Sequence, residues 1–340
     1  VYVNSLPSKR VLSDLVEQTL AVLDTEPEML RPADASGMPG GLLYLKSFAP
    51  DVPAVLVPDL HGRTGFFDEI LSFVLPEDFY GKTPGKRLTV AQALDLKKLY
   101  LVCLGDGFHT EVVSRERWKQ AYEQWKAGNI RSAAMLGEMS DSLGLMQRVM
   151  NCKCRWPRYF HFLKGNHENI LNESAHGNLA FGKYTYEGEL VRSFMLDVYG
   201  ESLLNRYAHF EHRLPLFVWA ANFLASHAQP LCMFSKDDVI NGLKDEAVVL
   251  GLTWTDNDEA QKDSVALMLK SFLPDRPDAL YFGGHRFISG TYRLKANGKY
   301  VQLHNPDKHC ITLIRTYRPF NPDTDIYDTS ASAGTNLLQE

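Results

Sequence analysis

The chain has 340 residues, 45% hydrophobic and 23% charged, with a formal net charge of −5. That balance is ordinary for a globular chain and long enough for one large domain or two smaller ones. Mild acidity argues against nucleic acid or an anionic membrane surface as partner, and no apolar run reaches the roughly 20 residues that span a bilayer. Five cysteines, Cys103, Cys152, Cys154, Cys232 and Cys310, are odd in number and irregularly spaced, which argues for reduced thiols and a cytoplasmic location over a disulfide framework.

Residues 1–50 read as a helical lead-in. Leu12, Leu15, Val16, Leu20 and Leu23 recur near helical spacing, and a Pro/Gly/Asp-rich link runs from Pro27 to Gly41. Val52 to Pro58 is a short run, rich in β-branched residues and punctuated by prolines, that predicts a buried strand emptying into Asp59-Leu60-His61-Gly62-Arg63. A short amphipathic helix over Phe66 to Leu75 precedes a strand over Leu99 to Leu104, which ends at Gly105-Asp106. Two helices are predicted over Glu111 to Lys126 and Arg131 to Met150, broken at Gly128-Asn129, with Trp118, Tyr122 and Trp125 as core. The run from Tyr159 to Leu163 then delivers Gly165-Asn166-His167-Glu168. Helices over Glu187 to Tyr199 and Glu201 to Phe210 lead to an apolar run, Trp219 to Ala225, ending at Ser226-His227-Ala228. A helix over Glu259 to Phe272 precedes Ala279 to Phe282 and Gly283-Gly284-His285-Arg286. Strands over Tyr300 to His304 and Ile311 to Tyr317 close the globule, and the tail from Asn321 to Glu340 reads as mobile.

A buried strand thus repeatedly ends on ligand-type side chains: Asp59/His61, Asp106, Asn166/His167, His227 and His285. In layered α/β folds, sites form beyond the carboxyl ends of strands, so these groups are expected to converge. Carboxylates, neutral imidazoles and an amide oxygen suit Mn, Fe or Zn better than Ca or Mg. Asp59 and His61, first and third in an extended segment, point to the same side. One histidine at a strand end is more often a satisfied residue than a ligand; four of them with two Asp and one Asn reverse those odds. His161, His176, His209, His212, His304 and His309 carry no motif and read as structural, with His304 the reserve because it follows a strand. Asp256 reads equally as an acceptor behind a ligand or as a turn former, and Cys152/Cys154 lack the further ligands a metal would need.

The order Asp-x-His-Gly, Gly-Asp, Gly-Asn-His-Glu, His-Ala and Gly-His resembles the calcineurin-like metallophosphoesterase superfamily. The Gly-Asn-His-Glu form, Phe287 where many relatives have a further His, and Leu252-Thr253-Trp254-Thr255-Asp256 are similar to its phosphoprotein phosphatase branch, over about Val52 to Ile314. The resemblance implies a layered α-β-β-α sandwich over residues 51–320, with insertions at about 76–95 and 111–150, between the lead-in 1–50 and a flexible tail 321–340. It implies two divalent metal ions (Mn, Fe or Zn), one held by Asp59, His61 and Asp106, the other by Asp106, Asn166, His227 and His285. A hydroxide activated by both would attack phosphorus in line while His167 protonates the leaving alkoxide. The implied partner is a phosphorylated substrate, protein or small molecule: a phosphoserine or phosphothreonine protein, or a nucleotide or dinucleoside polyphosphate. A weakly catalytic, metal-binding scaffold acting through its insertions is the reading from another class.

Departures from the pattern fall on phosphate recognition. The chain reads Gly105-Asp106-Gly107-Phe108-His109-Thr110-Glu111 where the branch has Gly-Asp-x-x-Asp-Arg-Gly. His109 therefore replaces the Asp that orients the catalytic His, and Thr110 replaces an Arg that grips phosphate. Pro58 stands where a Gly is usual, and the branch's Asn-Asp-Arg-Gly segment is not found. Arg63 and Arg286 flank the motifs and are the candidates for a substitute anion clamp. The added length at 76–89 and 111–150 is expected to sit above the metals as a lid or docking platform.

Overall fold

A computed structural model describes residues 6–81, 87–111 and 114–330. Its described strands are β1 (Leu42–Leu43), β2 (Ala54–Val57), β3 (Tyr100–Cys103), β4 (Phe160–Phe162), β5 (Phe217–Trp219), β6 (Phe223–Ser226), β7 (Leu280–Gly283), β8 (Arg293–Lys295), β9 (Tyr300–Gln302), β10 (Cys310–Ile314) and β11 (Ile326–Asp328). They form two sheets, in the orders β11-β10-β2-β3-β4 and β1-β5-β6-β7-β9-β8.

The period-2 alternation of strands explains the layering. In β2 and β3, Val55, Val57, Leu101 and Cys103 face a helical layer built by Lys9–Asp24, Thr64–Ser72, Ala133–Arg155, Glu187–Tyr199 and Glu201–His212. Their neighbours Ala54, Leu56, Tyr100 and Val102 face the other sheet, meeting Val218, Ala225, Phe282 and Val301. On that sheet's far side Phe217, Leu224 and Tyr281 pack with Val248, Leu252, Val265 and Met268 from the helices Glu246–Thr253 and Ser264–Phe272. The result is a mixed α/β sandwich: two sheets flanked by helices, each fully buried Val, Leu or Phe contributing roughly 1.5–3 kcal/mol.

Register places the site. β2, β3 and β4 run parallel with Val57 opposite Cys103 and Cys103 opposite Phe162. β6, β7 and β9 run parallel with Ala225 opposite Phe282 and Gly283 opposite Gln302. The carboxyl ends within each set are therefore level.

Several expectations are corrected. The described part of the expected lead-in, residues 6–50, is built into the domain: Lys9–Asp24 packs Leu12, Val16 and Leu23 into the core, and β1 pairs with β5. The expected tail begins with a helix, Pro322–Asp325, and with β11 paired to β10, while 331–340 lie outside the described residues. The apolar run Trp219 to Ala225 is not one strand but two, β5 and β6, antiparallel and turning at Ala220-Ala221-Asn222, where no Gly or Pro advertises the turn. Within the expected insertion 111–150, Ala133–Arg155 is a core helix, with Met135, Met139, Leu143, Met146 and Met150 buried. Trp118 is buried as expected, the five cysteines are free, and no described helix is long and apolar enough to cross a membrane.

Candidate metal centre

Beyond the strand ends the backbone is forced into unusual conformations. His61 (φ 41°), Asp106 (φ 54°), His109 (φ 73°) and His285 (φ 64°) all lie in the left-handed region, which costs a non-glycine residue about 1 kcal/mol or more and persists where surrounding contacts over-determine it. Those contacts are specific. The Asp106 carbonyl accepts the N–H groups of Leu60 (3.2 Å) and His61 (2.7 Å), and Gly284 N–H donates to the His227 carbonyl at 2.7 Å. The Glu168 carboxylate accepts N–H groups from Gly165 (2.6 Å), Asp106 (2.9 Å) and Gly107 (2.8 Å), stapling the second and third motif loops.

Two donor groups face each other across this frame. Asp106 Oδ2 stands between His61 Nε2 (3.6 Å) and His227 Nε2 (3.4 Å), with Asp59 Oδ2 4.0 Å from His61 Nε2. On the other side, Asn166 Oδ1 lies 2.9 Å from both His227 Nε2 and His285 Nδ1. Backbone carbonyls orient two rings: His61 Nδ1 meets Phe108 O at 3.0 Å, and His227 Nδ1 meets Leu104 O at 2.9 Å. Each Nδ1–H is thereby held in place and each Nε2 lone pair is turned to the centre. Asp59, His61, Asp106, Asn166, His227 and His285 are thus brought together, from positions spread over both sheets.

The donor chemistry fits divalent cations. Among the described residues, Asp59-Asp106-His227, Asp59-His61-His304 and His61-His109-His167 each present ligand atoms within 4.8 Å of one another. Asp59 Oδ1 and His304 Nδ1 are buried without hydrogen-bond partners there, a costly state that a bound cation relieves for acceptors. Burial, and then Glu168 and Asp59, push the Asp106 pKa well above the carboxylate range; a cation would reverse that. Burial pushes His61 down to about 4 and lowers His227 and His285, so these imidazoles are neutral, the form that ligates.

The groups open onto a cleft of about 350 Å³ lined by His61, Asp106, Glu111, Asn166, His167, Lys183, Trp254, His285, Arg286 and His304. Of the described residues in the expected cover, 76–89 and 111–150, Glu111 is the one that lines it. His167 is wedged by rings: Phe181 at 4.6 Å, His109 at 5.0 Å and His61 edge-on at 5.0 Å. Aromatic packing thus holds it where the resemblance leads one to expect an Asp, and Glu187 Oε1 lies 3.7 Å behind His109.

The two arginines part company. The expectation for Arg63 is corrected: its guanidinium donates to the carbonyls of Leu60 (3.2 Å), Asp59 (2.5 Å), Asn305 (3.4 Å), Pro306 (3.2 Å) and Lys308 (3.0 Å), and it is not among the cleft's lining residues. Arg286 does line the cleft, half-exposed, with Nη2 2.7 Å from Asp256 Oδ2. Asp256 therefore partners a cation side chain. Thr110, in place of the branch's Arg, donates to Glu138 Oε1 at 2.8 Å.

Residues not singled out as functional from sequence include Glu111, Lys183 and Glu168, and His304 stands there as the reserve alone. Lys183 Nζ is 2.8 Å from Glu111 Oε1. Only His304 had a readable signal, since it follows β9 just as the other histidines follow their strands.

No protein-family model matches the chain, and no curated protein matches it. Solved structures do. A protein serine/threonine phosphatase from Saccharomyces cerevisiae is 15% identical with a TM-score of 0.55, covering 94% of this chain and 88% of its own. A diadenosine tetraphosphatase, so described in its structure's name as a candidate, is 14% identical with a TM-score of 0.40 over 81% and 92%. A cold-active protein-tyrosine phosphatase of a psychrophilic Shewanella is 10% identical with a TM-score of 0.42 over 87% and 79%. The first of these is a likeness of fold. On that fold sits a carboxylate–imidazole centre able to hold cations.

Proposed function

We propose that this chain is a metal-dependent phosphomonoesterase of the metallophosphoesterase type. The observation that carries the reading is Asp106 Oδ2 standing between His61 and His227, beside an Asn166 oxygen shared by His227 and His285, at the floor of an open cleft. Asp59, His61 and Asp106 would hold one divalent cation, and Asp106, Asn166, His227 and His285 a second. When bound, such a pair supplies neutralisation of phosphoryl charge and an acidified water.

The chain's own groups do the rest. His167 is the proton donor to the leaving oxygen; its N–H backbone is tied to Asp106 Oδ1 at 2.9 Å and its Nε2 lies 3.9 Å from Asp106 Oδ2. Burial, then His109 and His61, pull its pKa well below the usual imidazole range, and an anionic ester entering the cleft raises it again. Arg286 and Lys183 are the cationic side chains of the cleft and steer the phosphate in. Phosphoserine and phosphothreonine peptides are the first substrates to try, because the yeast structure of similar fold is named as a serine/threonine phosphatase.

The test is hydrolysis of an aryl phosphate with and without Mn²⁺, in the wild type and Asp106→Asn. Mn²⁺-dependent turnover in the wild type, lowered at least 100-fold by the substitution, is expected, on the scale of catalytic-group losses. Equal turnover in both proteins, or none in either, contradicts the proposal. His167→Asn should slow poor leaving groups far more than it lowers metal content.

A further inference from the structure

We propose that His304 is a fourth protein ligand of the cation that Asp59 and His61 would hold, and that Glu111 positions it; this deepens the metal-site reading above and rests on it. His304 follows β9, whose carboxyl end is level with those of β6 and β7. Its side chain is 1% exposed. Nε2 meets Glu111 Oε2 at 3.0 Å, so the proton sits on Nε2 and the lone pair on Nδ1. That Nδ1 has no hydrogen-bond partner among the described residues and lies 3.7 Å from Asp59 Oδ2. Its ring is 5.2 Å from that of His61, and Asp59, His61 and His304 together offer ligand atoms within 4.8 Å.

A histidine that merely filled space would leave a buried lone pair unsatisfied, at a cost of roughly 1–3 kcal/mol. A carboxylate on the outer nitrogen and an open inner nitrogen is instead the arrangement of a metal-bound imidazole. The assignment also balances the two halves of the centre. Asp59, Asp106, His61 and His304 give one cation two oxygens and two imidazoles; Asp106, Asn166, His227 and His285 give the other the same. Two chemically matched sites favour two ions of one kind, from the imidazole-preferring metals.

Metal binding by the full chain, stripped with chelator and titrated with Mn²⁺ and with Zn²⁺ in a calorimeter, tests this without reference to turnover. The wild type should take up two cations. His304→Ala should weaken one of them by at least ~10-fold and leave the other unchanged; Glu111→Gln, which keeps an acceptor, should weaken the same one less. Imidazole added to His304→Gly should restore the affinity. Two unaltered cations in His304→Ala overturn the assignment while the binuclear reading stands; no cation in the wild type removes both. Should the variants fail to fold, the wild type loaded with Co²⁺ decides by NMR. Four shifted imidazole N–H protons, from His61, His227, His285 and His304, are expected; three overturn the assignment, and none removes the reading with it.

Discussion

Gly284 shows how little room the centre leaves. A β-carbon there would lie 1.9 Å from Asp59 Oδ1, and one on Gly165 would lie 2.2 Å from Asp106 Oδ1. Gly284→Ala must displace the Asp59 carboxylate, so it should weaken metal binding by at least ~10-fold with the fold retained by circular dichroism. The two arginines give a second contrast. Arg63→Ala deletes donors to five backbone carbonyls and should cost about 3 kcal/mol of stability. Arg286→Ala should leave the melting temperature near wild type and raise KM for a phosphopeptide, because Arg286 sits half-exposed on the cleft. Kinetics and melts on both variants check the pair; a raised KM for Arg63→Ala at unchanged stability would reverse the roles. At this scale the sequence was most legible where side chains follow strands. Asp59, Asp106, Asn166, His227 and His285 each lie within a few residues of a buried run. Glu111 was not, because its approach to His61 and His304 depends on a loop path that no periodicity encodes.

Among elements, the best-read were helices with long apolar stripes. Glu187–Tyr199 has the predicted bounds, and Glu201–His212 overruns its prediction by two residues. β1, β8 and β11 are two or three residues long, too short for any period to register. What binds the first helix to the sheet was equally hidden. Glu26 accepts from Arg31 Nη1 at 2.8 Å and from Lys153 Nζ at 2.6 Å, and Lys153 Nζ in turn meets His161 Nδ1 at 3.3 Å on β4. His161 Nε2 donates to Arg158 O at 3.1 Å, so this ring must be neutral. Burial, then Lys153, hold its pKa well below the usual 6.5. The unfolded chain therefore binds more protons than the folded one below about pH 6.5, and stability falls as pH drops through that window. His161→Gln should flatten the loss measured between about pH 7 and pH 5 by up to ~1.4 kcal/mol per pH unit. An unchanged slope would mean that other groups carry it. Glu26→Ala, stranding two buried cations, should cost about 3–5 kcal/mol in urea melts.

For the whole molecule, the centre belongs to neither sheet alone. Asp59, Asp106 and Asn166 arrive from the sheet containing β2, β3 and β4, while His227, His285 and His304 arrive from the one containing β6, β7 and β9. The apolar layer of Leu56, Val102, Ala225 and Phe282 between the sheets sets their separation. Cation binding should therefore couple to global stability: at 100 times the dissociation constant, a bound ion adds about 2.7 kcal/mol. The fold class was readable because buried strands alternated with helical patterns. The place of Ala133–Arg155 was not, since a stretch longer than the resembled pattern suggests an added cover and only packing reveals a core helix. The most direct measurement is anomalous scattering from crystals grown with Mn²⁺ or Zn²⁺. Two peaks roughly 3.5–4 Å apart, one on each side of the Asp106 carboxylate and both weakened in Asp106→Asn, are the predicted result. No peak within reach of Asp106 would contradict the account.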